Sequence, residues 1–206
     1  MDANRLDAKA AFAFLSEDEC LGPVVRRWGI CPFEPHTEYF RELCESILAQ
    51  QISGKVARSL ADRLLARVHH RLTPEVLVNV SLDELRALGI SARKGETLHA
   101  LAQGCLQEQI PLERLGELPE EEIRVILTRV KGIGDWTVMM FLIFSLNRPR
   151  VIPASDFGIR KAIQGLYRLP ELPAPDAVKG YFQAWAPHET AAAWYLWRSL
   201  ENDGRA

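Results

Sequence analysis

Apolar residues recur every three or four positions along almost the whole of this chain, and its glycines and prolines fall mostly between those runs. Such spacing turns one face of an α-helix toward a core. It leaves little room for strands, whose side chains alternate with a period of two. Phe40, Leu43, Cys44, Ile47 and Leu48 define an amphipathic helix over 39–49. Ser53 is placed to cap the next, with Val56, Leu60, Leu64, Leu65 and Val68 as its apolar stripe. Thr73-Pro74-Glu75 reads as a cap followed by proline in the first turn. Ser81 and Ser91 give further starts, the second opening a helix over 92–107. Pro119 is followed by three glutamates, which suit the positive end of a helix dipole. Pro170, Pro173 and Pro175 mark a longer connection, and a last helix over 188–202 carries Trp194, Tyr195 and Trp197. The expected fold is all-α, built from many short helices on short loops.

Length and composition narrow the class. At 206 residues, 48% of them hydrophobic, the chain can bury a core as one domain or two packed lobes. No apolar run approaches the roughly 20 residues that span a membrane. The start, MDANRLDAKAAFAF, has mixed charge and no cleavage pattern, so no signal peptide is expected. A soluble, cytoplasmic protein is the default. Cys20, Cys31, Cys44 and Cys105 show no metal-ligand spacing and read as reduced thiols. The net charge of −2 argues weakly against a nucleic-acid partner. Its distribution argues the other way. Between Arg124 and Lys161 there are seven basic residues and two acidic ones, just after a run of glutamates.

The most informative stretch runs from Leu127 through Lys131-Gly-Ile-Gly-Asp-Trp-Thr137. One helix ends near Val130. Gly132-Ile133-Gly134 makes a tight turn, and an apolar helix over 135–147 follows. Two glycines flanking one hydrophobic residue let the backbone approach an outside group while Ile133 plugs into the core. The N–H groups opening the next helix form an anion site, which suits a DNA phosphate, and Lys131 adds charge. Beyond that helix, Pro153 forces an extended approach and Ser155-Asp156 begins another. Asp156 thus sits at a helix N-terminus, where the dipole favours an ionised carboxylate. A fixed anion there can stabilise positive charge that develops on a reacting group, and can orient an attacking water.

The hairpin pattern resembles the helix-hairpin-helix motif of the base-excision glycosylase superfamily, and the interval to Asp156 matches that superfamily's layout. Three further segments resemble the 3-methyladenine DNA glycosylase II family. They are Ser46-Ile-Leu-Ala-Gln-Gln-Ile-Ser53, Leu88-Gly-Ile-Ser-Ala-Arg-Lys94, and Trp185-Ala-Pro187 with Ala192-Ala-Trp-Tyr-Leu-Trp-Arg198. The resemblance runs from about 38 to 200. It implies a fold of two helical lobes with a DNA-binding cleft between them, one lobe over 40–145 and the other over 1–39 plus 146–206, in a single compact unit without an N-terminal α/β domain.

The resemblance also implies roles. Asp156 is the catalytic carboxylate. Trp136, Met140, Phe157 and Trp197 fall at the base pocket, where electron-rich rings would stack on a cationic alkylated base. Met140 stands where some relatives carry an aromatic, and Glu189 where they often carry Arg. Gln51 is the wedge that fills the gap left by a flipped nucleotide. Lys131, Gly132, Ile133, Gly134 and Thr137 grip the DNA backbone. The carbonyls of Thr128, Val130 and Ile133 would hold a Na+ or K+ ion. Bifunctional relatives carry a Schiff-base lysine where this chain has Trp136, so the implied enzyme is monofunctional and leaves an abasic site. No Cys follows 105, so no iron–sulfur cluster is expected and no cofactor is required. The expected substrate is double-stranded DNA with alkylated purines of the 3-methyladenine and 7-methylguanine type. The expected state is a monomer with no membrane association, nucleoid-associated in a bacterial cytoplasm or nuclear in a eukaryote. Two alternatives stand: a glycosylase of the same fold for uracil, hypoxanthine or an oxidised purine, and a non-catalytic helix-hairpin-helix module that only binds DNA.

Overall fold

Helix starts in the sequence become helix starts in the computed structural model, which describes residues 5–34 and 37–201. The first four residues, part of the segment read for a leader, lie outside the described residues, as does 202, the expected end of the last helix. The described helices are α1 (Ala8–Leu15), α2 (Gly22–Trp28), α3 (Tyr39–Ala49), α4 (Gly54–Arg67), α5 (Pro74–Leu77), α6 (Leu82–Ala87), α7 (Ala92–Leu106), α8 (Glu120–Thr128), α9 (Asp135–Phe144), α10 (Phe157–Leu166), α11 (Pro175–Gln183) and α12 (Glu189–Ser199). A short 3-10 helix covers Leu112–Glu117. Among the described residues there is no strand, and no helix is long and apolar enough to cross a membrane.

The caps behave as their chemistry dictates. Ser53, Thr73, Ser81 and Ser91 each accept a main-chain N–H from the first turn of α4, α5, α6 and α7. Ser81 and Glu84 bond reciprocally as a capping box. Two elements differ from the sequence reading. The hairpin's second helix ends at Phe144 rather than 147, because Asn147 adopts a left-handed conformation ahead of the Arg148-Pro149 break. Pro175 sits inside the expected connection, yet it begins α11, where its fixed φ and missing N–H cost nothing.

The chain divides into two units, one of Met1–Pro35 with Leu146–Ala206, the other of His36–Ser145. In the second unit α3 packs on α4, α7 and α9, α5 and α6 pack on α7, and α8 packs on α9. Leu43, Ile47, Leu48, Leu64, Leu98, Leu127 and Phe141 form its interior. Val56, at the edge of the α4 stripe, is exposed; Ala57 and Ala61 pack inward instead. α9, packed against α3 and α8, is apolar nearly all round.

In the first unit α12 is the hub, packing on α1, α2, α10 and α11. Its Ala191-Ala192-Ala193 stretch is wholly buried, and small side chains let neighbouring helices approach. Larger buried groups share this core with their polar tips satisfied. The Trp185 indole donates to Asp18 at 2.9 Å, and the Tyr195 hydroxyl donates to the Gly29 carbonyl at 2.7 Å.

Candidate functional site

The hairpin joins α8 to α9 through two glycines with different constraints. Gly132 has φ +100, and a Cβ there would lie 2.0 Å from Thr97 Oγ1 on α7. It is therefore required by the packing behind it. Gly134 is extended, and nothing lies within 4 Å of where its Cβ would stand. Its small size leaves the outward side of the turn open. Ile133 is buried, as its place between the glycines implies, and Lys131 is exposed. No side-chain hydrogen bond caps α9 at Gly134, and the N–H groups of such a first turn suit an outside anionic acceptor. The Thr137 hydroxyl is buried and turned inward, so only its main-chain N–H belongs to that set.

The turn between α3 and α4 is anchored to this hairpin. Gln50 Nε2 donates to the Gly132 carbonyl at 3.0 Å and to Thr137 Oγ1 at 2.9 Å. Lys94, from the Leu-Gly-Ile-Ser segment, donates to the Leu48 carbonyl in the last turn of α3 at 2.7 Å. Burial lowers its pKa. Gln50 (φ −52, ψ 126) and Gln51 (φ +58) trace a type II-like turn closed by the Ile52 N–H on the Ala49 carbonyl at 3.4 Å. The third position of such a turn favours glycine, and a long side chain in that conformation costs about 1 kcal/mol. The result is that Gln51 and Ile52 are exposed, in front of a rigid base.

Beside that turn, Trp136 and Met140 line one hollow of about 300 Å³ with Ala49, Gly54, Ala57 and Phe144. A larger hollow, of about 550 Å³ around Tyr39, His70 and Leu112, holds none of the residues expected from sequence at the functional site.

The carboxylate group lies in the first unit. Asp156, not Ser155, is the N-cap of α10, and its Oδ1 accepts the Ile159 N–H at 3.0 Å. The same oxygen accepts the Trp197 indole N–H from α12 at 2.9 Å. Gly158 makes this meeting possible: a Cβ there would stand 3.0 Å from Asp156 Oδ1 and 3.1 Å from the Trp197 ring. Trp197 is thus first a donor that orients the carboxylate. Phe157, the next residue, is 64% exposed, so its ring is not core packing. Sequence reading missed Gln50, Gly158 and Lys94 as site-building residues; the glycine two residues after the carboxylate was the one local signal.

The approach to Asp156 is stapled to α12 by Thr190. Its hydroxyl donates to the Arg148 carbonyl at 2.5 Å and accepts the Val151 N–H at 3.1 Å, while its own N–H donates to the Pro149 carbonyl at 3.0 Å. Thr190→Val keeps the shape and strands two buried main-chain groups. It should cost about 2 kcal/mol, read as a melting temperature lower by about 4–8 °C. An unchanged melting curve would show that the staple carries no stability.

The basic stretch is less available than its composition implies. Arg124 pairs with Asp135 and Glu121, Arg148 is buried, and Arg160 donates to the Pro173 carbonyl. Arg150 is exposed but lies 3.4 Å from Glu189, a buried carboxylate at the start of α12. Glu189 therefore pairs with Arg150 at the start of α12. Arg129, Lys131 and Lys161 remain exposed.

All four cysteines are free thiols, and among the described residues no group of three His, Cys, Asp or Glu could hold a metal ion. The carbonyls of Thr128, Val130 and Ile133 follow one another round the turn that leaves α8. A helix C-terminus is partially negative, and the Val130 carbonyl, which accepts the Ile133 N–H, keeps a second lone pair. These donors fit a monovalent cation.

Comparison with known proteins places this geometry in a lineage. Residues 44–188 match the family described as HhH-GPD superfamily base excision DNA repair protein. DNA-3-methyladenine glycosylase 1 of Schizosaccharomyces pombe is 39% identical over 165 residues, covering 79% of this chain and 72% of the yeast protein. An alkylbase DNA glycosidase-like protein of the same organism is 28% identical over 93% of both chains. The structure of an S. pombe 3-methyladenine DNA glycosylase in complex with abasic DNA superposes with a TM-score of 0.83, at 36% identity, over 92% of this chain and 95% of that one.

Proposed function

The chain belongs to the HhH-GPD superfamily of base excision DNA repair proteins, and from that membership we propose that it is a monofunctional DNA glycosylase for alkylated purines. The observation that carries the reading is Asp156, an N-cap whose Oδ1 is held by both the Ile159 N–H and the Trp197 indole. The names of the relatives support the alkylated-base class. A 3-methyladenine or 7-methylguanine nucleotide carries positive charge on the base. Its N-glycosidic bond breaks with the electron pair leaving to a neutral base. The sugar gains oxocarbenium character, which the Asp156 carboxylate stabilises. Water then adds at C1′ and gives its proton to the carboxylate or to solvent, leaving an abasic site.

The other residues serve access. Lys131 and the N–H groups from Gly134 to Thr137 bind a backbone phosphate. A Na+ or K+ ion on the carbonyls of Thr128, Val130 and Ile133 would add charge at that phosphate. Gln51 enters the duplex as the wedge, with exposed Ile52 supplying the apolar contact that an amide lacks. Trp136 and Met140 offer stacking surface to an alkylated base, Phe157 offers an exposed ring, and no amine stands at 136 to form a Schiff base. The protein acts on duplex DNA as a monomer. The two units serve as one glycosylase unit.

The test is a panel of duplexes with a single 7-methylguanine, 3-methyladenine, uracil, hypoxanthine or oxidised guanine. Single-turnover release should be fastest for the two cationic bases. Faster release of a neutral lesion would move the substrate class, and no release from any duplex would leave a DNA-binding module.

A further inference from the structure

We propose that Gln50 is a positioning residue that makes phosphate grip and wedge insertion a single rigid act; the inference rests on the glycosylase reading above. The wedge turn and the hairpin are 82 residues apart in sequence, yet one amide group joins them. Its Nε2 spends both protons, one on the Gly132 carbonyl and one on Thr137 Oγ1. The first acceptor belongs to the hairpin, the second to the opening turn of α9, the helix that carries Trp136 and Met140. Gln50 therefore ties the turn to both the phosphate-facing backbone and the wall of the adjacent hollow.

The turn needs such a tie. Gln51 is held at φ +58, a conformation its side chain disfavours, and it is exposed. An untethered turn would relax toward an ordinary loop and swing Gln51 away. On the far side Lys94 fixes the Leu48 carbonyl, so the chain is clamped just before it protrudes. Ser53 then caps α4 and fixes the exit. A strained tip between fixed ends is preorganised, so insertion does not have to order it.

The experiment compares Gln50→Met, which keeps bulk without donors, with Gln50→Ala, Thr137→Val and the Gln50→Met/Thr137→Val double variant. The first readout is amide hydrogen exchange at 51–54 in the DNA-free protein. Gln50→Met and Gln50→Ala should exchange there at least tenfold faster, with global stability nearly unchanged. The second readout is single-turnover base release, which should fall roughly tenfold or more. Binding to undamaged duplex, which needs the grip alone, should stay within about twofold. A 2-aminopurine opposite an abasic analogue should brighten less. The double variant should be little worse than Gln50→Met. Wild-type exchange and wild-type release in Gln50→Met would overturn the proposal, as would equal losses in release and in undamaged-duplex binding. If wild-type protein releases no base, the glycosylase reading fails, while the exchange result still decides whether Gln50 holds the turn.

Discussion

Asp156→Asn should lose base release by about 10³-fold while leaving the fold and DNA binding almost intact. The expectation follows from the geometry of one oxygen. Oδ1 of the carboxylate accepts both the Ile159 N–H and the Trp197 indole N–H. An asparagine carbonyl accepts the same two donors, and Asn caps a helix about as well as Asp. Only the charge, and the ability to take a proton, are removed. The stability change should stay within about 1 kcal/mol, the worth of the lost interaction with the helix dipole. Asp156→Ala makes the contrast, since it also removes the cap and the partner of the indole. It should lower the melting temperature as well as the rate. Single-turnover kinetics with thermal melts on both variants separates these effects. A rate for Asp156→Asn within tenfold of wild type would remove the carboxylate from the chemistry.

Gly132→Ala is the second large effect, and it acts through packing. The new methyl would stand 2.0 Å from Thr97 Oγ1, and φ is +100, where an L side chain is strained. Overpacking and backbone strain together should cost about 2–5 kcal/mol, or about 5–15 °C in melting temperature. DNA affinity should fall with it, because the Gly132 carbonyl and the N–H groups beyond it move. Adding Thr97→Ala relieves the clash but not the φ, so it should recover roughly half the lost stability. Gly134→Ala has open space and extended backbone. It should leave stability nearly unchanged and weaken duplex binding only where phosphate needs the gap. Equal melting temperatures for the two glycine variants would contradict this division of labour.

How much of this was legible in the sequence depends on the range of the interaction. Local chemistry carried well: serine and threonine caps set the starts of α4 to α7, and Ile133 is buried between its glycines. Asp156 could be placed at a helix start because Pro153 and Ser155 precede it. The end of α9 could not, since the left-handed Asn147 belongs to the loop geometry that follows. The helices α1 and α2 had no distinct signal: α1 is capped by Asp7, but its run is apolar on nearly every side. Long-range pairings were invisible. Nothing local marks Gln50 as the partner of Gly132, Lys94 as the partner of Leu48, or Trp197 as a donor to Asp156. Charge counting misled for the same reason, because Arg124, Arg148, Arg150 and Arg160 make contacts that composition does not show.

A monofunctional glycosylase excises a cationic base by hydrolysis and leaves the strand uncut. The most direct measurement is product analysis on a duplex with one 7-methylguanine. Free base and strand integrity are followed together, before and after alkali. Free 7-methylguanine should appear in step with alkali-labile sites, and the strand should stay unbroken until alkali is added. Strand breaks without alkali would show lyase chemistry that Trp136 in the lysine position does not supply. Absence of free base at full DNA occupancy would rule out excision of the alkylated base altogether.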